Sequence, residues 1–349
     1  MILRELSEAI GVSGEENDVR ELIMPAIRDH VSSLEVDTLG NLTALQTGTQ
    51  FPGFTVMIAA HMDEIGLMVT AVESNGLIQF TSVGGIDARI LPGMRVMVGG
   101  DRTPGVVLWK PIHKWRDMKT VSIDNLRIDV GATDKHAAEP GDRIAFDGAY
   151  LQLGEDTVRG KAFDDRVGCS ILVDILQNGP YPVTVAAAFT VQEEIGLRGA
   201  QVAAQRLQPD AAIVLEGTTA YDVPDPNLEI DADDLPTNPG TKLGAGVVLT
   251  LVDGRMISDP RVLAFLRETA EAEGIPYQFK TIGGGGTDGG AIHTAQTGVP
   301  TMTLSTPCRY IHTPTALMNL KDYGNTLQLS LAVLNAITPA TFAREQAAD

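Results

Sequence analysis

Three features of this 349-residue chain predict an α/β fold with a mostly parallel sheet, flanking helices and a small all-β, barrel-like insertion. Short apolar runs alternate with segments of helical spacing. A stretch rich in Gly, Pro and Val, broken into short strand-like pieces, interrupts that alternation. Several apolar runs end on charged or imidazole side chains, as strands do where they leave a buried sheet.

Residues 1–31 read as helical. Gly14 and the acidic Glu15, Glu16 and Asp18 precede Val19, Leu22, Ile23 and Ile27, which are spaced to face a core. Pro25 is expected to kink or interrupt this segment. The run Phe54 to Ala60 suits a buried strand that ends at His61. From 67 to 158 come Arg95-Val-Met-Val, Gly105-Val-Val-Leu-Trp and Arg143-Ile-Ala-Phe, separated by turn residues. Helical spacing resumes after Asp164, where Val167, Ile171 and Ile175 share one face. Val183 to Phe189, Ala211 to Leu215, Ala245 to Val252 and Pro300 to Leu304 read as strands. Asp259-Pro260 is an N-cap followed by a first-turn proline, and Gly274 with Pro276 closes that helix. Leu327, Leu331 and Leu334 mark a last helix. The expected division is an α/β domain over 1–66 and 159–349, with a β-rich domain over 67–158.

Composition narrows the function. Hydrophobic residues make up 44% and charged residues 20%, the balance of a water-exposed globular protein. No apolar run approaches the roughly 20 residues that span a bilayer. The N-terminus lacks the basic-then-apolar pattern of a signal peptide. Two cysteines, Cys169 and Cys308, make no disulfide framework, which favours a reducing cytoplasm. A net charge of −19 disfavours nucleic acid and anionic membranes as partners.

The informative residues lie at the strand exits. In open α/β sheets, ligands bind outside the carboxyl ends of the strands. His61 follows 54–60, Glu193 and Glu194 follow 183–189, Glu216 follows 211–215, and His312 comes a few residues after 300–304. Asp164 opens the helix after the insertion. Taken singly, a histidine is more often a hydrogen-bonded boundary residue, and paired glutamates are more often a solvated loop. Taken together, imidazoles and carboxylates at four exits form a ligand set suited to zinc, cobalt or manganese. One of the adjacent glutamates would bind metal and the other move a proton. Spacing alone permits either assignment.

These residues sit in a series of motifs: His61-Met-Asp63-Glu64-Ile-Gly66, Ala162-Phe-Asp-Asp-Arg166, Gln192-Glu-Glu-Ile-Gly196, Gly286-Thr-Asp288 and Cys308-Arg-Tyr-Ile-His-Thr-Pro314. Their order resembles the tetrahedral (TET-type) dinuclear metallo-aminopeptidases, a family that includes glutamyl aminopeptidases and proteins once labelled endoglucanases. The resemblance covers nearly the whole chain. It implies a zinc-peptidase-like α/β domain and a dimerising β domain from which dodecamers are built. It further implies two divalent ions, zinc or cobalt, with His61 and Glu216 on one, Glu194 and His312 on the other, and Asp164 bridging. Glu193 would be the general base for a hydroxide shared by the ions. Asp63 would hold His61 through its second ring nitrogen. The substrate would be the N-terminal residue of short peptides. Two divalent ions and a shared hydroxide bring the three ligand carboxylates close to neutrality.

Other signals carry less. Gly284 to Gly289 matches a dinucleotide glycine pattern, but no acidic residue follows about 20 positions later. Asp288 in that loop is at most a supporting residue. Cys308 near His312 reads as a buried thiol rather than a nucleophile. His30, His113, His136 and His293 lack ligand-like surroundings. Asp231, Asp233 and Asp234, beside Pro236 and Pro239, read as a solvated loop, and Trp109 and Trp115 as packing or interface residues. Two alternatives remain open at this point. Paired carboxylates also serve glycoside hydrolysis, although aromatics are only 5%. A non-catalytic scaffold could carry a structural metal, although such sites favour Cys and His.

Overall fold

The computed structural model describes residues 1–108, 121–133, 138–223, 240–281 and 284–342. Trp109, His113, Trp115, His136 and the 231–239 stretch with Asp231, Asp233, Asp234, Pro236 and Pro239 lie outside the described residues. The chain opens with α1 (Leu3–Glu8), α2 (Asn17–Ile27), β1 (Ser33–Val36), β2 (Leu42–Gln46) and β3 (Phe51–His61). Six short strands follow: β4 (Gly66–Val72), β5 (Ile78–Val83), β6 (Arg95–Val98), β7 (Thr103–Val107), β8 (Ile128–Asp129) and β9 (Arg143–Phe146). Then come β10 (Leu151–Leu153), β11 (Thr157–Gly160), α3 (Phe163–Asn178), β12 (Val183–Thr190), α4 (Arg198–Leu207) and β13 (Ala211–Thr219). The chain ends with β14 (Val247–Thr250), α5 (Pro260–Glu273), β15 (Tyr277–Lys280), α6 (Gly289–Ile292), β16 (Thr301–Arg309), β17 (Ala316–Asn319) and α7 (Leu320–Ala336).

The large sheet has the order β1-β2-β12-β3-β13-β16-β17-β11-β10, with β14 and β15 branching from β16. Its centre, β12-β3-β13-β16, is parallel, whereas β1, β2, β17, β11 and β10 pair antiparallel. The sheet is therefore mixed, with parallel pairing concentrated where helices make the crossovers. Short turns join β1 to β2, β10 to β11 and β16 to β17, and such connections permit only antiparallel neighbours.

The central strands are buried along nearly their whole inner length because helices cover both faces. Along β3, Val56, Ile58 and Ala60 enter one core while Met57 and Ala59 enter the other. Along β13, Ala211, Ile213 and Leu215 face the first core, and Ala212 and Val214 the second. This is the period-two alternation of a strand buried on both sides. The inserted strands close into a barrel, β4-β5-β8-β7-β6-β9. It has its own core, including Leu67, Val69, Phe80, Val96, Ile128 and Ile144. The chain leaves the barrel after Phe146, and β10 and β11 rejoin the large sheet through β17.

The N-terminal segment differs from the single interrupted helix expected. It forms two helices, and α2 runs through Pro25 to Ile27. Val19, Ile23 and Ile27 are buried, and Leu22 stays 37% exposed. Three apolar residues spaced by four hold the helix against the core past the hydrogen bond that Pro25 cannot donate. The limits of α5 are those expected. Asp259 caps α5 by accepting from the Arg261 N–H, and Gly274 ends it at φ +65°.

One buried cluster ties the two parts of the α/β unit together. Lys161 Nζ donates to Glu64 Oε1 at 2.6 Å, and an Arg166 guanidinium nitrogen lies 3.3 Å from the same oxygen. Arg166 also donates to the carbonyls of Leu6, Ala9, Gly11 and Met62. Burial pulls Lys161 down to about 8 despite the opposing pull of Glu64. Glu64→Ala leaves two buried cations without their anion. We expect a loss of about 3–5 kcal/mol in unfolding free energy, measured by denaturant titration. A loss under about 1 kcal/mol would contradict this account of the cluster.

Candidate metal centre

Parallel register brings the strand-exit residues to one level. His61 ends β3 and pairs with Thr190, the last residue of β12. Ala59 pairs with Val214 of β13, so two residues further along each strand stand His61 and Glu216. Glu216 lies inside β13, which continues to Thr219, rather than beyond its end. Glu193 and Glu194 lie on the turn after β12, and His312 on the turn after β16. Asp164 sits at the start of α3 with non-helical dihedrals, φ −84° and ψ 103°. A Cβ on Gly217 would stand 2.9 Å from the Asp164 Cα, so only glycine lets this segment pass so close to β13.

The side chains converge. His61 Nε2 lies 3.1 Å from Asp164 Oδ1 and 3.4 Å from Glu216 Oε1. His312 Nε2 lies 3.4 Å from Asp164 Oδ2 and 3.4 Å from Glu194 Oε1. The two oxygens of Asp164 thus face two different imidazoles. His61, Asp164 and Glu194 offer ligand atoms that all lie within 4.8 Å of one another. Glu193 lines the same cavity as Asp164, Glu194, Glu216 and His312. Among the described residues its carboxylate has no hydrogen-bond or ion-pair partner.

Burial and mutual repulsion set the charge state of the cluster. Burial, reinforced by the nearby Asp164 charge, pushes Glu194 and Glu216 each up to about 8. Burial also raises Glu193, with Glu216, Asp288 and Glu194 adding to the shift. Burial disfavours the charged form of His61, yet Glu216, Asp164 and Asp63 outweigh it and raise its pKa well above the usual range. His312 rises to about 9 for the same reason, through Asp164 and Glu194. Carboxylates that hold protons near neutrality, and imidazoles that gain them, are the response of a site without enough positive charge. Oxygen and imidazole donors at these separations fit divalent transition ions.

A supporting shell orients the cluster. The Asp63 carboxylate accepts from the Glu193 N–H at 2.9 Å, the Glu194 N–H at 3.2 Å and Ser13 Oγ at 2.6 Å. His61 Nδ1 stands 3.0 Å from the Asp63 carbonyl and 3.4 Å from its carboxylate. A proton held on Nδ1 leaves the Nε2 lone pair facing the cluster. His312 Nδ1 faces the Gly85 carbonyl at 2.7 Å, which fixes its tautomer from the β4–β9 insertion. Neither Ser13 nor Gly85 carries a sequence signal for this task. Asp165 is another residue the sequence left without a role. Its oxygens accept from the His61 N–H at 3.1 Å and the Gly168 N–H at 2.9 Å, and with His61 and Glu216 it forms a second group whose ligand atoms lie within 4.8 Å of one another. Asp288 is buried and accepts from Thr190 Oγ1, and its Oδ1 has no partner among the described residues. Cys169 and Cys308 are free and buried. His293 bonds the Gly289 carbonyl, and His30 lies in a short helical turn away from the cluster.

The chain as a whole has known relatives. A family model for M42 glutamyl aminopeptidases matches residues 40–329. A protein of Acetivibrio thermocellus named as an aminopeptidase is 36% identical over 334 residues, covering 94% of this chain and 96% of its own. The lysyl aminopeptidase of Pyrococcus furiosus is 30% identical, with 98% of each chain covered. A solved aminopeptidase from the archaeon Desulfurococcus kamchatkensis superposes with a TM-score of 0.90 at 35% identity, covering 97% of this chain and 95% of its own. The Pyrococcus horikoshii TET1 peptidase, which can assemble into a tetrahedron or a large octahedral shell, gives 0.84 at 30% identity, covering 96% and 98%. On the family match over 40–329 and the shared fold, this chain belongs to the M42 glutamyl aminopeptidase family and is a peptide-bond hydrolase.

Proposed function

We propose that the protein removes N-terminal residues from short peptides at a pair of divalent ions, zinc or cobalt. The observation that carries this reading is the placement of Asp164 between His61 and His312, one oxygen toward each imidazole. That geometry suits a bridging carboxylate, with His61 and Glu216 completing one ligand set and Glu194 and His312 the other. Ions held there would polarise the scissile carbonyl and acidify a water. Glu193 would take the proton of that water as it attacks the carbonyl carbon and pass it to the amine nitrogen as the peptide C–N bond breaks. Its free carboxylate beside the ligands supports the role of general base. Asp63 fixes the Nδ1 tautomer of His61 and, through two backbone N–H groups, the direction of both glutamates.

The barrel, with the 67–158 stretch around it, is the dimerisation unit, and the protein works in the cytoplasm as a homo-oligomer, possible sizes running up to a dodecamer. Support comes from the assembly of its TET1 relative. No described helix is long and apolar enough to cross a membrane. Peptides with a free amine should be shortened one residue at a time, and their N-acetylated forms should resist, when products are followed by mass spectrometry. Cleavage of N-acetylated peptides at internal bonds, or turnover of β-glucan alone, would overturn the reading. The second outcome would restore the glycosidase alternative, and a metal-loaded chain inert on both substrates would restore the scaffold.

A further inference from the structure

The segment Gly11-Val-Ser-Gly-Glu-Glu16, between α1 and α2, supplies no ligand, yet it is packed against Asp63. Ser13 is 1% exposed and Asp63 is fully buried. Ser13 Oγ donates to Asp63 Oδ2 at 2.6 Å, and the Glu194 N–H reaches the same oxygen at 3.2 Å. Oδ1 accepts from the Glu193 N–H at 2.9 Å and faces His61 Nδ1 at 3.4 Å. Each oxygen thus serves its own pair of partners. Rotation of this carboxylate would disturb His61, Glu193 and Glu194 together. Ser13 is the donor in this set that belongs to neither strand exit.

Ser13 is itself held from two sides. The Gly11 N–H donates to Glu64 Oε1 at 3.1 Å, and the Gly11 carbonyl accepts from the Glu64 N–H at 2.9 Å. Gly14 turns the chain at φ +89°, and its N–H donates to Glu16 Oε1 at 2.6 Å. From the barrel, Arg143 at the start of β9 donates through Nε to the Ser13 carbonyl at 3.0 Å. Val12 packs with Val83 and Ala145 of the barrel, and Ile195, next to Glu194, joins the same apolar cluster. The barrel therefore meets the glutamate turn through this segment, besides meeting His312 through Gly85.

Building on the aminopeptidase reading above, we propose that Ser13 is a positioning residue that fixes the Asp63 carboxylate, and with it the directions of Glu193 and Glu194, and that Arg143 of the barrel holds Ser13 in place. A buried carboxylate that loses one donor swings toward those that remain. A small displacement of the base or of a ligand is felt strongly in the rate and in the hold on metal.

Ser13→Ala in the full-length protein should lower kcat per bound ion about tenfold or more and weaken zinc binding about tenfold or more, read by competition with a chromophoric chelator. The affinity separates positioning from loss of fold. A partly unfolded preparation would bind fewer ions at unchanged affinity. Ser13→Thr keeps the hydroxyl and should stay within about threefold of the parent in both measurements. Arg143→Met should show the same pair of changes at smaller size, about threefold. Parental zinc affinity in Ser13→Ala, or equal damage in the threonine and alanine variants, would overturn the role of Ser13 while leaving the aminopeptidase reading intact. Parental behaviour of Arg143→Met would overturn the part given to the barrel. No hydrolysis of aminoacyl anilides by the metal-loaded parent would instead overturn the aminopeptidase reading, and the chelator competition would still decide whether Ser13 positions the centre.

Discussion

Glu193→Gln is expected to lower kcat about 10²- to 10⁴-fold while the metal content per chain stays unchanged. The substitution keeps the length and shape of the side chain. The backbone N–H of residue 193 still reaches Asp63, now at 2.9 Å, so the turn keeps its course. His61, Asp164, Glu194, Glu216 and His312 keep every donor atom. What disappears is the carboxylate proposed as the general base. Elemental analysis of purified protein beside steady-state kinetics checks both halves. Metal lost in step with activity would make Glu193 a ligand, and Glu194 would then become the candidate base.

Stripping the metal with a chelator should lower turnover about a hundredfold or more, with recovery on adding zinc or cobalt. It should also make stability strongly pH-dependent. Glu194 and Glu216, ordinarily at 4.5, stand at about 8 in the folded protein without metal. Their contribution is fully present below about 4.5 and is lost as pH rises through about 8. His312, ordinarily at 6.5, stands at about 9, so its contribution is full below 6.5 and is lost as pH rises through 9. Asp164 shifts downward, toward more stability above the ordinary aspartate range, and its window lies below these. The stripped protein should therefore unfold at a lower temperature near pH 9 than near pH 5. Bound cations meet the same carboxylates with fixed positive charge, so the loaded protein should show a much flatter profile. Calorimetric scans of both forms across this range decide the matter. A stripped protein more stable at the alkaline end would contradict the electrostatic account.

Much of this was legible before any coordinates. The parallel strands are recognisable because residues buried on both faces leave uninterrupted apolar runs, as at Met57 to Ala60 and Val185 to Phe189. The ligand candidates are recognisable because polar side chains of unlike type end those runs. The course of α2 was less legible. Pro25 argues for a break, and only packing of Val19, Ile23 and Ile27 against the core outweighs it. The strand limits around Glu216 were also set late. Pairing with β16 carries β13 on to Thr219, and local sequence does not report that pairing.

The sequence by itself determined the α/β class, the inserted β unit and the set of imidazoles and carboxylates available for chemistry. Those depend on periodicity and residue type, which are local. The tertiary structure decided that the two Asp164 oxygens face different histidines, that Gly85 from the barrel orients His312, and that Asp63 steers both glutamates. It also decided that Arg309 meets Asp222 while Lys280 and Arg255 line the cavity. Such relations join residues as much as 227 positions apart in the chain. Strand register and close backbone approach fix them, and neither is written in any short stretch of sequence.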